Sequence, residues 1–165
     1  MRVQPMDLIE RLRQVSPGAA NLLLSAALPR IIPSSGGLGI RVEEVTETRA
    51  RLSVPLKRRT RNHVKGLYFG VQMTLAELTA GLLLLRRFPP TEYRSLVKRV
   101  EADFLAQGRS TVYAVCEPPP EVFGGLAEAL RQKGDKAEAW VPVKLLAEDG
   151  TVVTEVRFLD SVKKL

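Results

Sequence analysis

Cysteine and histidine are nearly missing from these 165 residues, with one of each. With Cys116 alone, there is no internal disulfide and no cysteine-built metal centre. With His63 alone, every multi-histidine metal centre is excluded, and one candidate remains for a histidine-based triad. No metal is therefore expected. Aromatic residues are scarce, 5% of the chain, and few fall among the basic residues, which argues against base stacking on nucleic acid. No leader is expected: Asp7 and Glu10 stand where a signal peptide needs a basic region, and Arg11 and Arg13 interrupt the apolar run beyond them. A cytoplasmic location is the expectation. The one run long enough to span a bilayer, Leu67 to Leu85, contains Gln72 and Glu77, each costly in lipid, so no membrane is expected either.

The length suits one domain, which at this size buries roughly 70% of the surface its unfolded chain exposes. A make-up of 45% hydrophobic and 26% charged residues is that of a globular protein. Basic residues exceed acidic ones, 25 against 18, for a net charge of +7. Such an excess favours an anionic partner: nucleic acid, a membrane surface or a phosphate-bearing molecule.

Along the chain, Leu8, Ile9, Leu12 and Val15 fall at helical spacing, and Ser16-Pro17 restarts a second, more apolar helix over Ala19 to Leu28. Pro29, Pro33 and the Ser34-Ser35-Gly36-Gly37 run end it, so residues 1–36 are expected to form a helical segment packed on a domain spanning 37–165. Two strand-like runs follow, Leu38 to Glu44 and Arg49 to Leu56, turned into a hairpin near Glu47-Thr48. A long helix is expected from Gly66 to about Arg87. Four more strands are expected beyond it: about Tyr93 to Ala106, Thr111 to Glu117, Lys136 to Leu146 and Thr151 to Leu159. Gly108 and Asp149-Gly150 read as hairpin turns, and Pro120 to Lys133 as a short helix capped by Gly134. The class is α+β.

The long helix is apolar nearly all round, so a sheet should wrap most of it. At about 100° per residue, Gly70, Thr74, Glu77 and Gly81 align in one seam of small or polar side chains. Small residues let a ligand approach, which would put Glu77 on the wall of a crevice; alternatively Glu77 faces water or pairs with an arginine. The helix start presents free N–H groups near Tyr68, Phe69 and Gly70, roughly 10 Å along the axis from Glu77. A thioester carbonyl held there would be polarised, with the carboxylate within reach of the reacting carbon.

Asn62-His63-x-x-Gly66-x-x-x-Gly70, followed by Leu75-Ala76-Glu77-Leu78-Thr79-Ala80-Gly81, resembles the signature of hotdog-fold acyl-CoA thioesterases. It is closest to an uncharacterised bacterial subfamily reading roughly Asn-His-x-Gly-x-x-His, then Glu-Leu-Ala-x-Gly. The resemblance implies an antiparallel sheet wrapped around a long central helix, and a homo-dimer or tetramer with active sites shared between subunits. It also implies a catalytic pair, which falls on Asn62 and Glu77, and a polarising amide, which falls on Phe69. Residues of the loop and the seam (His63, Tyr68, Phe69, Gly70, Thr74 and Gly81) would then line the substrate site. The sequence departs from the pattern at Lys65, where glycine is common, at Tyr68 in place of histidine, and at Phe69 in place of glycine.

Lys57, Arg58, Arg59 and Arg61 crowd one loop. In a thioesterase, Arg58, Arg59 and Arg61 would grip the phosphates of coenzyme A, whose oxygens match arginine forks. The same loop could be a solvated surface or a nucleic-acid patch. His63 has no serine or cysteine nucleophile paired with it by pattern, so holding the loop by a hydrogen bond is its alternative role. Cys116 alternates inward with Val112 and Ala114 and reads as a buried strand residue. The leading expectation is hydrolysis of an acyl-CoA-type thioester, with no cofactor beyond the coenzyme A of the substrate. A hotdog module that binds acyl groups without catalysis comes second, and a basic nucleic-acid-binding protein third.

Overall fold

The computed structural model describes residues 5–132 and 134–165. It opens with two helices, α1 (Pro5–Val15) and α2 (Pro17–Ile31), and a single 3-10 turn at Pro33–Ser35. Strands β1 (Arg41–Val45) and β2 (Ala50–Val54) precede the long helix α3 (Phe69–Arg87). Then come β3 (Tyr93–Phe104), β4 (Val112–Cys116), helix α4 (Pro120–Gln132), β5 (Lys136–Ala147) and β6 (Val152–Lys164). The six strands form one sheet in the order β1-β2-β4-β5-β6-β3, and every neighbouring pair is antiparallel.

Helix α3 lies against one face of the sheet, packed on β2, β4 and β5. Ten of its residues are buried, including Leu75, Leu78, Leu82, Leu83 and Leu84. Each buried leucine contributes roughly 1.5–3 kcal/mol relative to exposure, so the sheet is what holds this helix in place. Opposite α3, alternate strand residues Leu52, Val54, Val112, Ala114, Val141, Val143 and Leu145 close the core. This is the expected helix wrapped by a sheet.

Several local expectations shift. Helix α3 begins at Phe69, three residues after Gly66, because the Leu67 N–H goes to the Gly108 carbonyl (2.8 Å) and the Tyr68 N–H to that of Thr60 (2.9 Å). Those bonds hold the segment extended. Helix α2 runs through Pro29 to Ile31 rather than stopping at Leu28. In α1, Ile9 is buried and Leu12 half-buried, but Val15 is 84% exposed, so the stripe does not reach the end of the helix. The side chain of Leu8 and the expected helix end at Lys133 lie outside the described residues.

The larger correction concerns Gly108. It makes no hairpin: β3 pairs only with β6 at the far edge, and β4 sits between β2 and β5. The glycine serves a close approach instead. A Cβ on Gly108 would lie 2.8 Å from Val112 Cγ2 and 3.3 Å from Leu67 Cβ. By contrast, Asp149-Gly150 does join β5 to β6, with Gly150 at φ 85°. Strand β6 runs five residues past Leu159, carrying Asp160 and Ser161 into the sheet.

The sheet has two edges with different fates. Helix α2 covers β1: Ser25 Oγ accepts the Val42 N–H (2.8 Å), and Asn21 Nδ2 donates to the Glu43 carbonyl (2.8 Å). Arg13 donates to the Val45 carbonyl at 3.0 Å. The other edge, β3, stays open, and exposes Leu96, Val97, Val100 and Phe104.

Candidate active site

Gly70, Thr74, Glu77 and Gly81 all come out half-buried on α3, beside Met73 and Leu85 and between the fully buried residues. The seam read from the helical period is therefore the open face of the helix. Thr74 Oγ1 donates to the Gly70 carbonyl at 2.9 Å, which keeps the hydroxyl on the helix surface. A Cβ built on Gly81 would lie 4.0 Å from Glu77 Oε1, so the carboxylate rests over the bare backbone of that glycine. No described basic side chain pairs with Glu77. Burial raises its carboxyl above the ordinary range.

At the helix start, Tyr68 is the N-cap residue in extended conformation, and its side chain makes no capping bond. The Tyr68 carbonyl accepts the N–H groups of Val71 (3.0 Å) and Gln72 (3.1 Å). The N–H groups of Phe69 and Gly70 remain to receive an acceptor from outside the helix. Around them Tyr68, Phe69 and Phe104 form an exposed aromatic rim, with ring centroids 4.9 Å and 6.4 Å apart in successive pairs. A Cβ on Gly70 would meet the Tyr68 ring at 2.7 Å, so glycine makes room for that ring.

The preceding loop is a small closed structure. Asn62 N–H donates to the Gly66 carbonyl (2.8 Å), and Asn62 Oδ1 accepts the N–H groups of Val64 (3.1 Å) and Gly66 (3.0 Å). Lys65 occupies the left-handed region at φ 65°, a conformation that favours the glycine common at this place in the resembling subfamily. Thr60, fully buried, ties the loop base: its Oγ1 accepts the Lys57 N–H and lies 2.8 Å from the Pro55 carbonyl as a donor.

The expected residues thus separate into groups. Phe69, Gly70, Thr74, Glu77 and Gly81 share one helix face, and Tyr68 caps its start. Asn62 sits in the entry loop with its carbonyl oxygen committed to that loop, and no hydrogen bond joins it to Glu77 among the described residues. His63 is exposed and makes no hydrogen bond with a described residue. Arg58 and Arg61 are exposed, as is Arg59, whose guanidinium lies over Gly37. Cys116 is fully buried, and desolvation followed by the charge of Asp160 pushes its thiol up to about 12, which removes it as a nucleophile.

Two residues that sequence reasoning missed complete the surroundings. Gln72 is buried. Its Nε2 donates to the Leu67 carbonyl at 3.0 Å and its Oε1 accepts from Thr154 of β6, fixing α3 to that strand. Asp160 of β6 is 3% exposed, and its Oδ2 has no described hydrogen-bond partner. A lone polar residue inside an apolar run is the only sequence signal either one gave.

A profile of the family described as Domain of unknown function (DUF4442) matches residues 20–160. Among solved structures, a Pseudomonas aeruginosa protein of unknown function described as a probable thioesterase superposes with a TM-score of 0.78 at 25% identity, over 87% of this chain and 95% of that one. A Haemophilus influenzae thioesterase matches with a TM-score of 0.70 at 18% identity, over 88% of this chain and 91% of that one. A Chlorobaculum tepidum protein of unknown function matches with a TM-score of 0.75 at 15% identity, over 90% and 97%. No curated protein matches the sequence. The hotdog fold expected from the motif is borne out.

Proposed function

This chain belongs to the DUF4442 family, and on that footing we propose that it is a thioesterase that hydrolyses acyl-CoA-type thioesters. One observation carries the reading: two unclaimed N–H groups open a helix whose half-buried carboxylate lies about two turns further along the same open seam. The thioester oxygen sits at the Phe69 and Gly70 N–H groups, where negative charge develops as the carbonyl carbon becomes tetrahedral. Glu77 takes a proton from water as the water oxygen bonds to that carbon. Collapse breaks the C–S bond, and the thiolate leaves with the electron pair. Asn62, through its amide Nδ2, orients the water or the carbonyl.

The dimension along the seam suits an extended substrate. His63, Tyr68 and Phe69 flank its entry, and Thr74 and Gly81 border the reacting centre. The exposed guanidinium groups of Arg58, Arg59 and Arg61 hold the coenzyme A phosphates, so no separate cofactor is required. A second copy of the chain covers β3 and the open seam, as a homo-dimer or a pair of dimers. Helix α3 is long and apolar enough to cross a membrane, but it lies against the sheet with most of its residues buried, and the proposed site is cytoplasmic.

A second reading, an acyl-binding module without catalysis, is favoured by two features of the site. Asn62 Oδ1 is spent on its own loop, and Tyr68 and Phe69 crowd the helix start. A screen of acyl-CoA esters by thiol release, with Glu77→Ala as control, separates the two. Thiol release that Glu77→Ala abolishes supports the enzyme. Tight acyl-CoA binding without release supports the module.

A further inference from the structure

Charge is not spread evenly over this chain. Residues 11–76 hold eleven basic and three acidic side chains, so the whole net charge of +7 is carried there. No acid occurs between Arg11 and Val42, and none again between Thr48 and Ala76. The first stretch forms α2 and enters β1, and the second forms β2, the basic loop and the start of α3. Strands β1 and β2 are neighbours at one edge of the sheet, so the excess collects at that end of the molecule.

Helix α2 adds an apolar ridge to this cationic end. Its inner residues Ala20, Leu24 and Leu28 are buried. On the outside Leu22, Leu23, Ala26 and Pro29 are exposed, Leu22 at 72%. At about 100° per residue these four share one arc of roughly 120°. The single charge within that arc is Arg30, whose Nη1 donates to the Ala26 carbonyl at 3.0 Å. Further cations border the ridge. Arg41 lines the groove between α2 and β1 together with Leu22 and Ala26. Past the end of α2 the chain turns through Gly36 to Gly39. A Cβ on Gly36 would lie 4.0 Å from Pro29 Cβ, one on Gly39 would lie 3.9 Å from Lys57 Nζ, and Arg59 lies over Gly37. Arg30, Arg41, Lys57 and Arg59 are all exposed, and none forms an ion pair with a described acid. Glu43, the one acid lining the groove, accepts a hydrogen bond from Ser53.

We propose that this face docks on the surface of an anionic lipid bilayer. Leu22 and Leu23 enter the acyl boundary, while Arg30, Arg41, Lys57 and Arg59 meet the lipid phosphates. An exposed apolar ridge rimmed by unpaired cations matches such a surface in both shape and charge. Nucleic acid fits it less well: the first aromatic residue of the chain is Tyr68, so nothing on the ridge stacks a base, and the leucines gain nothing from phosphates. A second copy fits it less well too, because a two-fold contact here would press these cations against their own equivalents. Strands β1 and β3 are opposite edges of the sheet, so assembly through β3 leaves this face free. The contact is peripheral, and α3 stays packed in the core. It does not depend on the thioesterase reading.

The test sediments the full chain with vesicles of phosphatidylcholine alone, and of phosphatidylcholine and phosphatidylglycerol in equal parts, at low and high salt. Wild type should bind the anionic vesicles, less tightly as salt rises, and leave the neutral ones. Leu22→Gln with Leu23→Gln should weaken binding by at least about tenfold. Arg30→Gln with Arg41→Gln should weaken it by about fivefold for each cation removed. Lys136→Gln with Lys144→Gln takes the same charge from β5 and should leave binding near that of wild type. Every substituted side chain is exposed, so the variants should fold. Hydrogen exchange on wild type gives an answer without variants: anionic vesicles should slow exchange across α2 and residues 36–41. Unchanged exchange there, no binding to anionic vesicles, equal binding to neutral ones, or an equal loss in the β5 control overturns the proposal. DNA binding as tight as vesicle binding, with the leucine pair without effect, makes this a nucleic-acid face instead. A smaller oligomer in the leucine variant assigns it to a second copy.

Discussion

Glu77 combines a cost and a use. Removing a carboxylate from water raises its pKa, and the Gly81 backbone beneath it offers no charge in return. A raised pKa brings the group closer to neutrality, where a general base is most effective. Glu77→Gln keeps the volume and removes the base, so turnover in the thiol-release assay should fall by at least about 100-fold. Acyl-CoA affinity should change little, since the lost interaction acts in the transition state; an active Glu77→Gln would make the carboxylate structural. At Gly108 the constraint is steric. Gly108→Ala forces a methyl against Val112 and Leu67, and thermal denaturation should show a loss of about 1–3 kcal/mol. No loss would mean that the crossover relaxes freely.

The loop from Lys57 to Gly66 shows how an element can be both ordered and cationic. Its order comes from Thr60 and Asn62 inside the loop, while Arg58, Arg61, His63 and Lys65 stay exposed. Arg59 also packs over Gly37, so Arg58→Ala with Arg61→Ala is the cleaner pair to remove. That double variant should weaken coenzyme A ester binding and lower its dependence on salt, as measured by calorimetry at two ionic strengths. Equal binding in both proteins would leave the loop a solvated surface.

At the scale of the molecule, the two sheet edges differ in a way that points to assembly. Helix α2 satisfies β1, whereas β3 exposes Leu96 (63%), Val100 (48%) and Phe104 (51%) along an unpaired edge. The outer face of the neighbouring strands is polar, with Arg157 and Arg99 near Trp140 and Glu101 bridging both arginines. Apolar exposure thus runs along this edge and around Phe69, beside the seam, as well as on α2 at Leu22, Leu23 and Ile31. Sedimentation at micromolar concentration should give a dimer or larger, and Val100→Glu should shift it towards monomer. A wild-type monomer would remove the shared site.

The sequence by itself determined the local periodicities. The seam of Gly70, Thr74, Glu77 and Gly81, the β5–β6 turn at Gly150 and the inward phase of Cys116 all follow from neighbours a few residues apart. The motif around Asn62 and Glu77 supplied the fold family, which periodicity alone does not give. Tertiary structure decided what depends on distant partners. Gly108 reads as a turn, but only the pairing of β3 with β6 shows that the segment around it is a crossover. Asp160 lies one residue past the strand end read from the sequence, and only the packed sheet shows it buried with an oxygen that has no described hydrogen-bond partner. Helix α3 begins late because carbonyls of Thr60 and Gly108 claim the N–H groups before it. Hydrogen bonds and desolvation across such separations leave no period in the sequence, so the packed chain alone fixes them.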